Sequence, residues 1–361
     1  MPGIYTHNFI FRKALEKVKK KSHESIIYKS IEILFSCPEN IKTGLLGAIG
    51  PNIFDYMHLI SRDSFYGNEI SFYLHDFAYE SFIFTLIDII KEKGDFQTEW
   101  LSAQRSYLFG YISHIIADSF LHPYVFYSSG FPDEDDTNKK FYRKSNLRFQ
   151  YNIDNYYLYR DKSFTREDLE VSSMIPSPYN KKEALSWISA RNLLLSGLQR
   201  ENPELFKKYF KKFLNEKLDG TFTKTTPLDK VLKNIPLCYR LKRSENHRVI
   251  KIIDWFEKRQ SIIYSDFFIR YPSPKRVDED ALNIHQGRWQ YPAFQRGFRY
   301  DSVIHLTNHA IESIVEAWGI LEKYFMSCDE KITLSFVNPY TGEKEGHYRD
   351  MEIKEPIKIK V

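Results

Sequence analysis

The sequence predicts an all-α protein, and three observations carry that reading. Apolar residues recur at three- and four-residue spacing through most of the 361 residues. Gly and Pro cluster between those stretches, where helices would end. Strand-like alternation shows only near the end, where Ile332, Leu334 and Phe336, then Ile357, Ile359 and Val361, predict a short β-hairpin tail.

Taken in order, Thr6 is the candidate N-cap of a first helix over 7–20, and a second covers 24–36 before Pro38. A short helix over 39–49 runs into the breaker-rich Gly47–Pro51 turn. Amphipathic helices follow at 76–92 and 98–122. Pro123 disfavours helical geometry at His122, so the second is expected to stop there and free that imidazole to turn. Gly130–Asn138, with Asp133, Glu134, Asp135 and Asp136 in a row, reads as a solvated loop. A Tyr-rich helix covers 140–160, and others are expected at 165–173, 180–199, 203–216, 227–240, 245–271 and 301–326. Pro272–Arg299 reads mostly as loop. The organisation expected is a helical core over 1–165, a helical C-terminal half over 166–330 packed on it, and a tail over 331–361.

The composition, 42% hydrophobic and 27% charged, is that of a soluble globular chain. A net charge of +5 tolerates an anionic substrate, and no basic tract is long enough to argue for nucleic acid. Cys37, Cys238 and Cys328 are odd in number and far apart, which fits reduced thiols better than a disulfide framework. With neither signal peptide nor apolar run long enough to span a bilayer, a cytoplasmic location is expected.

The chemistry concentrates in residues 110–124. His114, Asp118 and His122 fall at i, i+4 and i+8 among apolar neighbours, so on a helix they share one stripe. A carboxylate buried there without a partner or cation would cost several kcal/mol, on the order of a desolvation penalty. At ~1.5 Å rise per residue the outer two positions lie about 12 Å apart, too far to share one ion. The spacing therefore suggests a row of metals with Asp118 bridging. The pair His305 and His309 also stands at i, i+4, but without the Glu of a metalloprotease motif. His58, His247, His285 and His347 have no partner spacing.

Together with Thr6-His7, Gly50-Pro51-Asn52-Ile-Phe-Asp55-Tyr56 and Leu74-His75-Asp76, this stripe resembles the zinc-dependent phospholipase C family. The likeness covers about the first 160 residues. It implies a phospholipase C-like multi-helix fold, zinc as cofactor, and hydrolysis of a phospholipid or another small phosphodiester, with peripheral membrane contact. Carried over by motif, one site would use Asn52, His75, His114 and Asp118. A second would begin with His122, and a third would pair His7 with Asp118.

Three positions depart from the family pattern. Asn52 stands where an Asp is expected, and Asn146 and Gln150 stand where a His and a Glu are expected. An amide offers zinc an oxygen without charge, so one or two ions are expected rather than three. His122 with Asp154 would keep a weak site, and Asp55 or Asp76 would supply a substitute carboxylate. Asp55 also becomes the candidate general base, since Asn52 cannot take a proton, and Asp118 completes the candidate catalytic pair. The same three amides are the case for the alternative, a catalytically weakened relative serving as a helical binding protein. A nuclease is disfavoured by the modest basicity.

Overall fold

The computed structural model describes residues 3–61, 66–94, 98–131, 139–177, 179–213, 225–258, 269–273, 277–293, 297–327 and 332–352. Its helices are α1 (Ile4–Lys21), α2 (Ile26–Leu34), α3 (Pro38–Gly47), α4 (Asn68–Asp76), α5 (Tyr79–Lys91), α6 (Glu99–Ser129) and α7 (Lys139–Tyr159) in the first half. The rest are α8 (Arg166–Leu169), α9 (Val171–Met174), α10 (Lys181–Glu201), α11 (Pro203–Phe210), α12 (Pro227–Lys242), α13 (His247–Lys258) and α14 (Val303–Met326). Short 3-10 turns over Gly50–Ile53 and Asp55–Ile60 join α3 to α4. The all-α expectation holds.

Helix α6 is the axis of the molecule. Thr98 caps it by accepting from the Leu101 amide at 3.3 Å. Nearly every residue from Leu101 to Ser129 is buried, because α1, α3, α5, α7, α10 and α14 all pack on it. The closest crossing is with α3, where small residues let the backbones meet. A Cβ added at Gly110 would lie 1.9 Å from the Gly44 carbonyl oxygen, and one at Gly47 would lie 2.1 Å from that of Tyr107. One apolar cluster runs from Ile4 to Met351, so helices from both halves of the chain share a core.

Two sequence expectations are corrected. First, α6 continues through Pro123 to Ser129 instead of stopping at 122. Proline cannot donate to the Ser119 carbonyl. That oxygen instead faces Gly342 of the tail, at φ +67°, where an added Cβ would lie only 2.7 Å away. Second, the helix expected over 76–92 starts later, at Tyr79. His75 and Asp76 end α4 rather than start α5, and the Asp76 carbonyl accepts from the Asn338 side chain at 3.0 Å. The described part of the tail, 332–352, is tied to the rest of the chain: Phe336 N donates to Glu80 Oε1 and Glu352 N to the Pro292 carbonyl, both at 2.9 Å. The two-stranded ribbon lies in the segment read as loop, where Trp289–Gln290 (β1) pairs antiparallel with Phe298–Arg299 (β2). Ile357, Ile359, Val361, Cys328 and the acidic run Asp133–Asp136 lie outside the described residues. Among the described residues, no helix is long and apolar enough to cross a membrane.

Candidate metal centre

Three helices deliver five metal-type side chains to one point. α6 carries His114, Asp118 and His122; α1 carries His7 in its first turn; α4 carries His75 at its last turn. Asp118 Oδ2 lies 3.1 Å from His114 Nε2, 3.3 Å from His75 Nε2 and 3.5 Å from His122 Nε2. Asp118 Oδ1 lies 3.1 Å from His7 Nε2. His75 and His114 bring their Nε2 atoms to 3.1 Å of each other. All five residues are buried. The 12 Å rise between His114 and His122 separates backbone positions, not ring nitrogens. Both side chains lean toward Asp118, so the stripe converges on one carboxylate instead of spreading along the helix.

Hydrogen bonds fix which ring atom faces inward. His75 Nδ1 donates to the Ser71 carbonyl at 2.7 Å, His114 Nδ1 to that of Ala48 at 3.0 Å, and His122 Nδ1 to that of Pro339 at 2.7 Å. A carbonyl only accepts, so each Nδ1 carries the proton and the neutral ring turns a lone pair inward at Nε2. Burial pushes His114 and His122 below the usual imidazole range, with Asp118 opposing only in part. Burial alone would raise Asp118; positive charge at the surrounding imidazoles, His114 foremost, is what draws it well below the ordinary carboxylate range. With the rings neutral, three Nε2 lone pairs instead face one carboxylate.

Such an arrangement calls for a cation. His7 Nε2, His122 Nε2 and both Asp118 oxygens are buried without a hydrogen-bond partner, at a cost of about 1–3 kcal/mol for each such group. Ligand atoms on a tetrahedral zinc, at about 2.0–2.1 Å from the ion, stand roughly 3.3 Å apart. His75 Nε2, His114 Nε2 and Asp118 Oδ2 make a triangle of that size, with edges of 3.1, 3.1 and 3.3 Å. On the other side, His7, His114 and Asp118 offer ligand atoms within 4.8 Å of one another. The residues present therefore fit zinc.

The other sequence candidates take different places. Asn52, on the 3-10 turn after α3, is buried with its Oδ1 unpartnered. Two residues before it, Gly50 sits at φ +62° against the His114 ring, and a Cβ there would lie 2.2 Å from His114 Cδ2. Asp55 begins the next turn and accepts from Ser71 Oγ at 3.0 Å, one residue removed from His75. Asp76 does not join the cluster. Its Oδ1 accepts from Asn338 Nδ2 at 3.0 Å and the Tyr348 amide at 2.8 Å, and His347 Nδ1 lies 3.8 Å from its Oδ2.

Asp154 is a correction. It does not partner His122. It anchors the start of α1 by accepting from Thr6 N at 2.9 Å and Thr6 Oγ1 at 2.7 Å, and from the Tyr271 hydroxyl at 2.7 Å. Burial pushes it up to about 6, against those hydrogen bonds. Asn146 and Gln150 bond to each other, and Asn146 Nδ2 donates to Ser129 Oγ at 3.1 Å. His305 and His309 lie in the first two turns of α14, the second against Phe120.

Sequence reasoning missed Tyr340. Its ring stacks on His75 and on His122, each at a centroid distance of 5.3 Å. Burial raises its phenol well above the usual range, and Asp55, Asp76 and Asp118 add to the effect. No local motif marks it.

A family model described as zinc dependent phospholipase C matches residues 6–213 of this chain. No curated protein and no solved structure matches it.

Proposed function

Since the chain belongs to the zinc dependent phospholipase C family, we infer that it hydrolyses a phosphodiester, with a phospholipid head group as the substrate class and one or two zinc ions as cofactor. The observation that carries this reading is the convergence of four imidazole nitrogens on one buried carboxylate, with His7 Nε2, His122 Nε2 and both carboxylate oxygens lacking a hydrogen-bond partner. His75, His114 and Asp118 Oδ2 would hold one ion, and Asp118 Oδ1 with His7 would hold another. When bound, zinc supplies water acidified to a pKa of ~7 and positive charge for the phosphoryl oxygens.

The chain's own residues do the remainder. The Ser71, Ala48 and Pro339 carbonyls hold the rings in the tautomer that presents Nε2. Asp118 keeps a negative charge at the point where cations gather. Asp55, held by Ser71, is assigned as proton acceptor in place of Asn52.

The catalytically weakened reading rests on one observation. Asn146 and Gln150 spend their amides on each other and on Ser129, so the second family site is not rebuilt around them. Metal analysis of protein purified without chelator, beside hydrolysis of a chromogenic phosphodiester, separates the two. Bound zinc with turnover supports the enzyme, zinc without turnover supports the binding protein, and absence of zinc refutes the metal centre. Asn52→Asp, Asn146→His and Gln150→Glu together should raise zinc per chain. No rise would mean that these three positions do not border the centre.

A further inference from the structure

The family model ends at residue 213, yet a turn more than a hundred residues further on is built into the centre. We propose that Asn338, Pro339 and Tyr340 form a positioning element without which two of the four imidazoles, His75 and His122, are not held ready for metal. The proposal rests on the reading of the cluster as a metal centre.

Three contacts carry it. The Pro339 carbonyl is the acceptor for His122 Nδ1, at 2.7 Å. It therefore selects the tautomer that turns Nε2 toward Asp118, as the Ser71 and Ala48 carbonyls do for His75 and His114. Those two carbonyls come from within the family-matched span; the one for His122 does not. Second, the Tyr340 ring lies nearly parallel to both His75 and His122, with interplanar angles of 24° and 21°. One aromatic plate thus sets the tilt of two rings from different helices. Third, the turn cannot drift. Asn338 Oδ1 accepts from the amides of Tyr340 at 2.8 Å and Thr341 at 3.1 Å, and its Nδ2 donates to both the carbonyl and the Oδ1 of Asp76 at 3.0 Å. Asp76 follows His75 directly, so the same amide fixes the end of α4. Gly342, packed against the Ser119 carbonyl of α6, closes the turn.

A side chain that orients a metal-binding ring without touching the ion still controls affinity, typically by about 10- to 100-fold. Tyr340→Leu removes the plate, Tyr340→Phe keeps it, and Asn338→Ala unties the turn. Zinc affinity is read by competition with a chromophoric chelator, and coordination by the visible spectrum of the cobalt-loaded protein. Thermal unfolding of the chelated proteins reports folding separately. Tyr340→Leu and Asn338→Ala are expected to weaken zinc by about 10- to 100-fold and change the cobalt spectrum, whereas Tyr340→Phe restores both. In the chelated wild-type protein, long-range proton–nitrogen NMR should find His122 protonated at Nδ1, which needs no variant to fold. Unchanged affinity and spectrum in folded Tyr340→Leu, or a proton on Nε2 of His122, would overturn the proposal. Failure of the wild-type protein to bind zinc at all would instead overturn the metal reading beneath it.

Discussion

Asp118→Asn is the substitution on which a metal centre and an ordinary buried ion pair predict opposite signs. In the chelated protein, His7 Nε2, His122 Nε2 and both Asp118 oxygens are buried acceptors without partners. Asparagine is nearly isosteric, but it exchanges one acceptor for an amide with two donors. Placed at Oδ1 that amide faces His7 Nε2 at 3.1 Å; placed at Oδ2 it faces His114, His75 and His122 at 3.1 to 3.5 Å. Either orientation pairs an orphaned imidazole and removes a buried charge. At about 1–3 kcal/mol per satisfied group, the chelated variant should be more stable than the chelated wild type by that amount.

Zinc reverses the order. A ligand at a thousand times its dissociation constant stabilises the folded state by about 4.1 kcal/mol, and the wild type should show such an increment. Asp118→Asn loses the charge shared by every candidate ligand pair, so its increment should shrink toward zero. The assay is urea unfolding of both proteins with chelator and with zinc, plus calorimetric titration of zinc. A variant less stable than wild type under chelation, with its zinc increment intact, would refute the reasoning. Asp118 would then be a structural partner of protonated histidines.

Two further outcomes follow from the same geometry. Gly50→Ala places a methyl 2.2 Å from His114 Cδ2 on a backbone at φ +62°; the left-handed backbone alone costs about 1–2 kcal/mol. Displacement of the ring should lower zinc affinity as well as the melting temperature, and a variant with wild-type zinc titration would show that Gly50 does not set His114. In chelated protein, burial lowers the folded-state values of His114 and His122 below the unfolded value of roughly 6.5. The unfolded chain then binds more protons just below pH 6.5, so stability present above that pH should be lost as pH falls through it. As pH falls toward 6, protonation of buried Asp154, raised to about 6, acts in the opposite sense and offsets part of the loss. Urea midpoints measured at pH 7.5, 6.5 and 6.0 test this, and His122→Gln should flatten the fall; a flat wild-type profile would contradict it.

The fold class and most helices were legible because burial on helices such as α5 and α14 repeats at the helical spacing that the chain displays. The misread boundaries share a cause. Pro123 breaks a helix only when nothing else supports it, and here six helices pack on α6. The break after Asp76 depends on an amide 262 residues away that takes over a helical carbonyl. Neither partner can be read from the local window that a periodicity argument uses.

The same division runs through the centre. His114, Asp118 and His122 announce themselves because three metal-type residues on one apolar stripe have no packing rationale, and His7 and His75 follow from short motifs beside breaker residues. What the spacing misjudged was reach: leaning side chains turn a 12 Å ladder of backbone positions into a single knot of lone pairs. Tyr340 and the Pro339 carbonyl stayed hidden for a deeper reason. Aromatic residues are abundant in this chain, a carbonyl has no sequence signature, and the contact to His122 closes a loop of 217 residues. Ligands can be spelled in a motif because the ion selects the atoms. The groups that aim those ligands need only a plane or an oxygen in the right place, and many sequences supply either. Variants at 338–340 should therefore tolerate side-chain identity more widely than variants at His114 or Asp118, while responding sharply to loss of the plane or the turn. A saturation series at Tyr340 in which Phe, Trp and His retain zinc and aliphatic residues do not would bear that out, and equal retention by Leu would defeat it.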